Sequence, residues 1–157
     1  MADFQALFEA TAFNAEYAAC LDEGRLEEWP SFFTEDGVYR IQARENFDRK
    51  LPLSILWLEG RGMLTDRIYA VRETLYHDPY YQRHILSAPR VIADEGDLLR
   101  VEANYLVVRT KRDQFSQISS AGRYIDTLQR TGDGLRIKSR LCVFDSELIR
   151  NSIIYPL

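Results

Sequence analysis

The distribution of apolar residues changes from helical to strand-like near the middle of the chain. Between residues 99 and 107 the odd positions are apolar and most even positions are polar. Residues 135–143 repeat the alternation, and Arg136, Lys138 and Arg140 occupy its polar side. Successive side chains of a strand point to opposite faces, so each segment predicts one buried face and one outward face.

The first half of the chain has the spacing of amphipathic helices. Apolar residues recur three or four positions apart between Phe4 and Leu21, and Gly24 is a natural helix stop. A second helical face comprises Leu64, Ile68, Val71 and Leu75. Between these helices we predict a strand over residues 38–43 and a polar loop over residues 44–50. Helices followed by hairpin-connected strands predict an α+β domain, with the helices packed on one face of an antiparallel sheet.

Two strand segments contain a residue that predicts an irregularity. Pro89 lies within the strand-like run Tyr80–Val91, and proline has no amide hydrogen for a sheet ladder. We therefore expect this run to lie at an edge or to contain a bulge. The alternation becomes ambiguous near Gly122, which predicts a bulge and a sharp bend there.

Length and composition predict one cytoplasmic globular domain over residues 1–157. The net charge of −4 and the pI of about 5.3 give no electrostatic reason to expect nucleic acid or an acidic membrane as partner. The apolar run 51–58 is too short to cross a bilayer, and the N-terminus lacks the form of a signal peptide. Cys20 and Cys142 are expected to be free thiols.

An ordered set of short motifs resembles the small (β) subunits of aromatic-ring-hydroxylating oxygenases, the multicomponent Rieske enzymes. The central motif is the run Tyr80–Val91, with its Arg83-His84 pair and its Pro89-Arg90-Val91 end. The further matching runs are Asn14–Ala18, Glu28–Asp36, Met63–Ile68, Ala103–Thr110, Gly122–Tyr124 and Leu135–Arg140. The resemblance therefore spans nearly the whole chain.

Within that family, two groups of small subunits are most similar. The runs Tyr39–Phe47 and Tyr76–His84 resemble salicylate 5-hydroxylase small subunits, and Trp29-Pro30 with Met63–Ile68 resembles terephthalate dioxygenase small subunits. The resemblance implies a structural subunit of an enzyme that hydroxylates an aromatic acid of the salicylate type.

The resemblance also implies a fold, cofactors and partners. The implied fold is an NTF2-like (SnoaL-like) cone, in which N-terminal helices pack on a strongly curved antiparallel sheet. The large (α) subunit would carry the Rieske [2Fe-2S] cluster, the mononuclear Fe(II) and the substrate pocket. NADH would supply electrons through a reductase, with or without a ferredoxin, mainly by contact with α. Three α and three β chains would form an α3β3 hexamer, with β–β contacts in a trimer.

The metal-ligand inventory of the chain is small. A Rieske centre needs two cysteines and two histidines, and a mononuclear iron site needs two histidines and a carboxylate. The chain has two cysteines and two histidines. Both sites together need four histidines, so the chain cannot supply both. A mononuclear site from His77, His84 and either Asp66 or Asp78 is arithmetically open, but we expect both histidines to be satisfied by local hydrogen bonds. The prediction is a chain without cofactor or metal.

An acid–base enzyme is the alternative interpretation. NTF2-like dehydratases and isomerases place His, Asp and Tyr inside an aromatic-lined cone. Here His84 would act with Asp66 or Asp36, and Tyr39, Tyr69 or Tyr124 would donate a proton. This interpretation requires a closed cavity in which His84 and a carboxylate converge. A third interpretation is a small-molecule binding or assembly module that has no oxygenase partner.

Aromatic residues and arginines suit a subunit interface, because arginine makes bidentate contacts with carboxylates. The interface candidates are Tyr81, Arg83, His84, Arg90, Arg109, Arg123, Arg140, Ile153 and Tyr155. The tail Ser146–Leu157 is apolar, so it packs either on its own domain or on a neighbouring subunit together with the Arg83–Arg90 edge. The second alternative predicts a cyclic β trimer, which loss of residues 152–157 would weaken more than it lowers the melting temperature.

Overall fold

The helices and strands of the computed structural model, which describes residues 4–149 and 152–157, follow the predicted order. The N-terminal elements are α1 (Phe4–Asp22), a 3₁₀ helix (Leu26–Phe32), β1 (Phe33–Ala43), α2 (Arg44–Asp48), β2 (Leu56–Glu59) and α3 (Gly60–Tyr69), which continues into a π-helical turn (Ala70–Thr74). The remaining strands are β3 (Tyr81–Leu86), β4 (Arg90–Asp94), β5 (Leu98–Thr110), β6 (Gln117–Thr131) and β7 (Gly134–Phe144). The prediction of a loop over residues 44–50 is wrong, because α2 occupies most of that segment.

The strands form one curled sheet that does not close. Its order is β2-β1-β7-β6-β5-β3, and β4 also pairs with β5. The pairing is antiparallel apart from β1 and β7, which run parallel. The helices pack on the inner face of the curl, so the predicted α+β arrangement is confirmed. We call the space between the helices and this inner face the cone interior.

The proline-containing run divides into two edge strands. Both β3 and β4 pair with β5, and Pro89 lies in the gap between them, where no ladder hydrogen bond is required of it. This confirms the prediction of an edge position.

In its first turns α1 presents alanines and not phenylalanines to the sheet. Ala6, Ala10 and Ala18 are buried, whereas Phe4 and Phe8 are exposed. Small side chains allow the first turns of the helix to approach the sheet closely, whereas the ring of Tyr17 is buried further along the same helix.

A bulge reverses the faces of β7 at its middle. Lys138 is skipped in the pairing with β6, because its neighbours Ile137 and Ser139 lie opposite adjacent residues. One extra residue moves every later side chain to the other face of the strand. Consequently Arg140 and Cys142 are fully buried, and the prediction that Arg140 lies on the outward side is wrong.

Gly122 allows two strands of the curled sheet to approach closely. A Cβ atom added at Gly122 would lie 1.9 Å from the main-chain oxygen of Val143. The bulge predicted nearby exists, but at Ser119, which is skipped in the pairing with β5. Glycine is therefore required at residue 122 by the absence of space, not by a bulge.

Replacing Gly122 by alanine is expected to lower the free energy of unfolding by about 3 kcal/mol, because the clash is with backbone and requires the strands to shift. Gly132→Ala is the matched control, since an added Cβ there meets nothing within 4 Å. Urea unfolding of both variants checks this. Equal midpoints for the two proteins would contradict the close approach at Gly122.

Among the described residues no helix is both long and apolar enough to span a membrane.

Candidate functional site

His84 pairs with Asp22, a carboxylate that the sequence analysis did not select. The Nδ1 atom of His84 lies 2.6 Å from Oδ1 of Asp22, and the main-chain N–H of His84 donates to Oδ2 of the same carboxylate at 2.9 Å. Asp22 is the last residue of α1, and His84 lies in β3. A carboxylate at a helix C-terminus interacts unfavourably with the helix dipole. In the sequence, this unfavourable position was the signal that another contact stabilises Asp22.

The acid–base site predicted around His84 does not assemble. Asp66 is exposed on α3, which packs against β1 and β2. Tyr124 is fully buried, and burial raises its pKa well above the usual value. Asp36 is exposed and pairs with Lys138 at 3.6 Å. The carboxylate that His84 contacts is therefore Asp22, and the structure gives no support to the alternative combination of His84 with Asp66 and Tyr124.

Arg140 forms the centre of a buried polar cluster. Its Nε and Nη2 atoms donate to the two carboxylate oxygens of Asp126 at 2.9 and 2.7 Å, and Nη2 also donates to Oδ1 of Asn14 at 2.8 Å. The rings of Tyr17 and Tyr124 lie on it, each with its centroid 4.1 Å from Cζ. Burial raises the pKa of Asp126, and the guanidinium charge opposes that shift.

The cone interior is occupied by Leu157 of the same chain. The hydroxyl of Tyr17 donates to the main-chain oxygen of Leu157 at 2.8 Å, and the main-chain N–H of Leu157 donates to the hydroxyl of Tyr39, also at 2.8 Å. Leu157 is buried. An acid–base enzyme of this fold requires a closed cavity that can admit a substrate. At this position the side chain of Leu157 fills that space.

The rest of the tail also packs on its own domain. Arg67 donates to the main-chain oxygens of Ile153 and Ile154 at 2.9 and 3.1 Å, and Nε2 of His77 lies 2.9 Å from the hydroxyl of Tyr155. Residues 150 and 151 of the tail lie outside the described residues. Between the two alternatives for the tail, the contacts of residues 152–157 favour packing within the domain.

The cysteines and histidines do not form a ligand set. Burial raises the pKa of the Cys20 thiol to about 11 and that of Cys142 to about 12, and metal binding requires the thiolate. His77 is engaged by Tyr155, whereas His84 is engaged by Asp22. Over residues 4–149 and 152–157, no group of three or more His, Cys, Asp or Glu side chains could hold a metal ion. The donor atoms of this part of the chain do not fit an iron centre.

Several interface candidates meet on the outer face of the sheet. In the ladder from β3 across β5 to β6, Arg83 lies opposite Val108 and Val108 opposite Ile118. In the next row Ile85 lies opposite Leu106. Ile85 is 54% exposed and Ile118 is 62% exposed. We call the outward side chains Tyr81, Arg83, Ile85, Leu106, Val108, Ile118 and Arg123 the outer sheet face.

Charges border this apolar surface. Glu102 accepts from Arg90 at 2.8 Å and lies 3.8 Å from Arg123. Arg83 is exposed and has no ion pair within the described part of the chain. Arg109 lies over the ring of Tyr80, 5.5 Å from its centroid. His84 and Arg140 are buried, so their selection as surface interface residues is corrected.

Comparison with known proteins gives consistent matches. The family model described as the ring hydroxylating beta subunit matches residues 16–151. The small subunit of anthranilate 1,2-dioxygenase from Burkholderia cepacia is 34% identical over 155 residues, which is 99% of this chain and 96% of that protein. A β subunit of the terminal oxygenase component of terephthalate 1,2-dioxygenase from Comamonas sp. is 32% identical, with 95% and 97% covered.

A crystal structure from Novosphingobium aromaticivorans, assigned as the β subunit of an aromatic-ring-hydroxylating dioxygenase, superposes with a TM-score of 0.89. It is 36% identical and 97% of each chain is covered. The predicted NTF2-like fold, with helices on a curled sheet, is confirmed.

Proposed function

Because the chain belongs to the family of ring-hydroxylating oxygenase β subunits, we propose that it is the structural, non-catalytic subunit of a multicomponent Rieske oxygenase. The observation that carries this role is the outer sheet face. A contiguous exposed apolar surface bordered by charges is typical of a protein–protein contact and unusual on a protein that acts alone. The cone interior, by contrast, is filled by the chain's own residues.

In this proposal the large subunit holds the Rieske [2Fe-2S] cluster and the mononuclear Fe(II), and NADH supplies electrons through a reductase. The present chain contributes one domain over residues 1–157 to an α3β3 hexamer. The protonated state of Cys20 and Cys142 and the engaged histidines support an assignment of the redox centres to the partner. The outer sheet face is the surface through which the domain joins this assembly.

The substrate we propose is an aromatic acid. The relatives from Burkholderia cepacia and Comamonas sp. act on anthranilate and terephthalate, which are both aromatic carboxylic acids. The more specific proposal of a salicylate-type substrate rests on the resemblance of the runs Tyr39–Phe47 and Tyr76–His84. Turnover of the assembled oxygenase with salicylate, anthranilate and terephthalate distinguishes these substrates. If the oxygenase oxidises none of the three acids, the proposed substrate class is wrong.

Replacing both Ile85 and Ile118 by arginine is expected to weaken assembly with the large subunit by about 2 kcal/mol or more, because apolar anchors at the centre of an interface carry most of its energy. Mass measurement by light scattering, together with the melting temperature of the isolated chain, checks this. We expect the hexamer to be lost while the melting temperature changes little, since both side chains are largely exposed.

Ile55→Arg is the matched control, because Ile55 is 49% exposed beside β2, the strand at the other edge of the sheet. That variant is expected to assemble normally. If Ile55→Arg prevents assembly and the double variant does not, the contact lies at the other edge and our placement is wrong.

A further inference from the structure

A half-open groove runs along the flank of α1, outside the cone interior. Its apolar wall consists of Phe8, Ala12 and Phe13 from α1, Phe32 from the 3₁₀ helix and Leu135 from β7. Ala10 and Tyr17, which α1 buries against the inner face of the sheet, do not line it. The groove has a volume of about 550 Å³, which lies within the usual range of small-molecule sites. We call it the α1 groove.

Aromatic rings dominate the apolar wall of the α1 groove. Phe8 is 64% exposed, although a large apolar side chain gains free energy when it is buried. Phe13 and Phe32 are half-buried and meet edge-on, with 5.8 Å between their ring centroids. Aromatic rings prefer edge-to-face or offset contacts with a further ring. The wall therefore favours a ligand that contains an aromatic ring.

Three of the charged side chains at the groove are paired within the domain. Nε of Arg130 donates to Glu9 at 3.1 Å, and its Nη1 donates to Asp94 at 2.8 Å. Glu16 accepts from Arg25 at 3.0 Å. Because their charges are compensated, Arg130, Glu9 and Glu16 contribute little to the attraction or repulsion of a charged ligand.

Arg136 lines the groove without such compensation. Its Nη1 donates to the main-chain oxygen of Leu135 at 2.9 Å, and across residues 4–149 and 152–157 its guanidinium forms no ion pair. A guanidinium binds a carboxylate through two parallel hydrogen bonds. Asp133 also lines the groove, but it is exposed in the turn between β6 and β7, whereas Arg136 is half-buried. Water and salt screen the exposed charge more strongly, so the groove favours an anion.

From these contacts we propose that the α1 groove binds a single-ring aromatic carboxylate. The ring packs against Phe8, Phe13 and Phe32, and the carboxylate accepts hydrogen bonds from the guanidinium of Arg136. This ligand class follows from the side chains of the groove and does not depend on the substrate of the assembled oxygenase. The site is separate from the outer sheet face and goes beyond the role in assembly.

Titration of the full chain with benzoate, in the absence of partner subunits, tests the proposal. We expect the backbone NMR signals of residues 8–16 and 130–136 to shift in a saturable manner, with a dissociation constant on the order of 1 mM for so small a ligand. Acetate lacks the ring and benzyl alcohol lacks the carboxylate. Each is expected to bind about tenfold more weakly or worse, because each loses one of the two sets of contacts.

Replacing Arg136 by glutamine is expected to weaken the binding of benzoate about tenfold, because it removes the charged donor to the carboxylate. Arg112→Gln is the matched control. It removes the same charge from an exposed arginine in the turn between β5 and β6, at the opposite end of β6, and is expected to leave the affinity unchanged. Equal affinities of the two variants would overturn the proposal, since Arg136 would then not bind the carboxylate.

Replacing Phe8 by alanine tests the apolar wall and is expected to weaken the binding of benzoate about fivefold. Phe4→Ala is its control, because Phe4 is largely exposed on the same helix and does not line the groove. Absence of saturable shifts in the unaltered chain, or shifts centred on other residues, overturns the proposal. If Phe8→Ala prevents assembly with the large subunit and the unaltered chain does not bind benzoate, the groove is a contact with a protein partner instead.

Discussion

Replacing Asp126 by alanine is expected to lower the free energy of unfolding by about 3–5 kcal/mol, since breaking a buried ion pair leaves an uncompensated charge. Arg140 has no exposed surface, and Asp126 neutralises it through two hydrogen bonds. The oxygen of Asn14 is its other hydrogen-bond acceptor, and a neutral amide cannot replace a carboxylate. Urea unfolding of the isolated chain measures the loss.

Two controls show whether the effect comes from the buried charge. Asp36→Asn removes a carboxylate that faces Lys138 at the surface, and we expect no measurable change in the unfolding midpoint. The double variant Asp126→Leu/Arg140→Met removes both charges and is expected to recover much of the lost stability. If the double variant is as unstable as Asp126→Ala, the loss comes from packing in this region and not from an unpaired arginine.

Replacing Leu157 by alanine is expected to lower the free energy of unfolding of the isolated chain by about 2–5 kcal/mol, the usual cost of truncating a buried leucine. Leu157 is only 4% exposed and packs with the central core. Deletion of residues 152–157 is expected to have a larger effect, because Tyr17, Tyr39 and Arg67 then lose hydrogen-bond partners. Thermal and urea unfolding of the isolated chain measure both changes.

For the tail variants, the structure predicts a larger effect on the stability of the isolated chain than on the hexamer, whereas the sequence suggested the reverse. If residues 152–157 formed a subunit contact, their loss would weaken the hexamer more than the isolated domain, whereas the observed contacts predict the opposite. Leu148→Ala is the control, because Leu148 belongs to the same apolar segment but is 83% exposed. A normal melting temperature together with loss of the hexamer would show that the tail contacts a neighbouring subunit after all.

The period-two pattern of β5 correctly predicted which of its side chains are buried, because alternation along a strand depends only on neighbouring residues. Leu99, Val101 and Val107 are buried as expected, since a strand without a bulge keeps its alternation from end to end. The order of helices and strands was predicted for the same reason. The motifs carried the family assignment, because residues that match in order over a whole chain do not depend on distances within the fold.

The buried face of α1 was not determined by periodicity. The phenylalanines Phe4 and Phe8 and the alanines Ala6 and Ala10 are both spaced four residues apart, so either pair satisfies a helical pattern. The close approach between helix and sheet selects the alanines. Asn14 is a polar residue on that same face. Its position was the local signal that a buried polar side chain, here Arg140, contacts this face of the helix.

Only the tertiary structure decided the polar contacts of the interior. Asp22 and His84 are 62 residues apart, Asn14 and Arg140 are 126 apart, and Tyr17 and Leu157 are 140 apart. The sequence by itself determined the longer helices and strands, their order and the family, because those depend on neighbouring residues; it missed the short elements α2 and β2. Which distant side chains meet depends on the bulge at Lys138, on how closely α1 approaches the sheet and on the entry of the tail into the cone interior. Each of these is a property of the assembled fold, and hydrogen bonds form only when the distance between donor and acceptor is close to 3 Å.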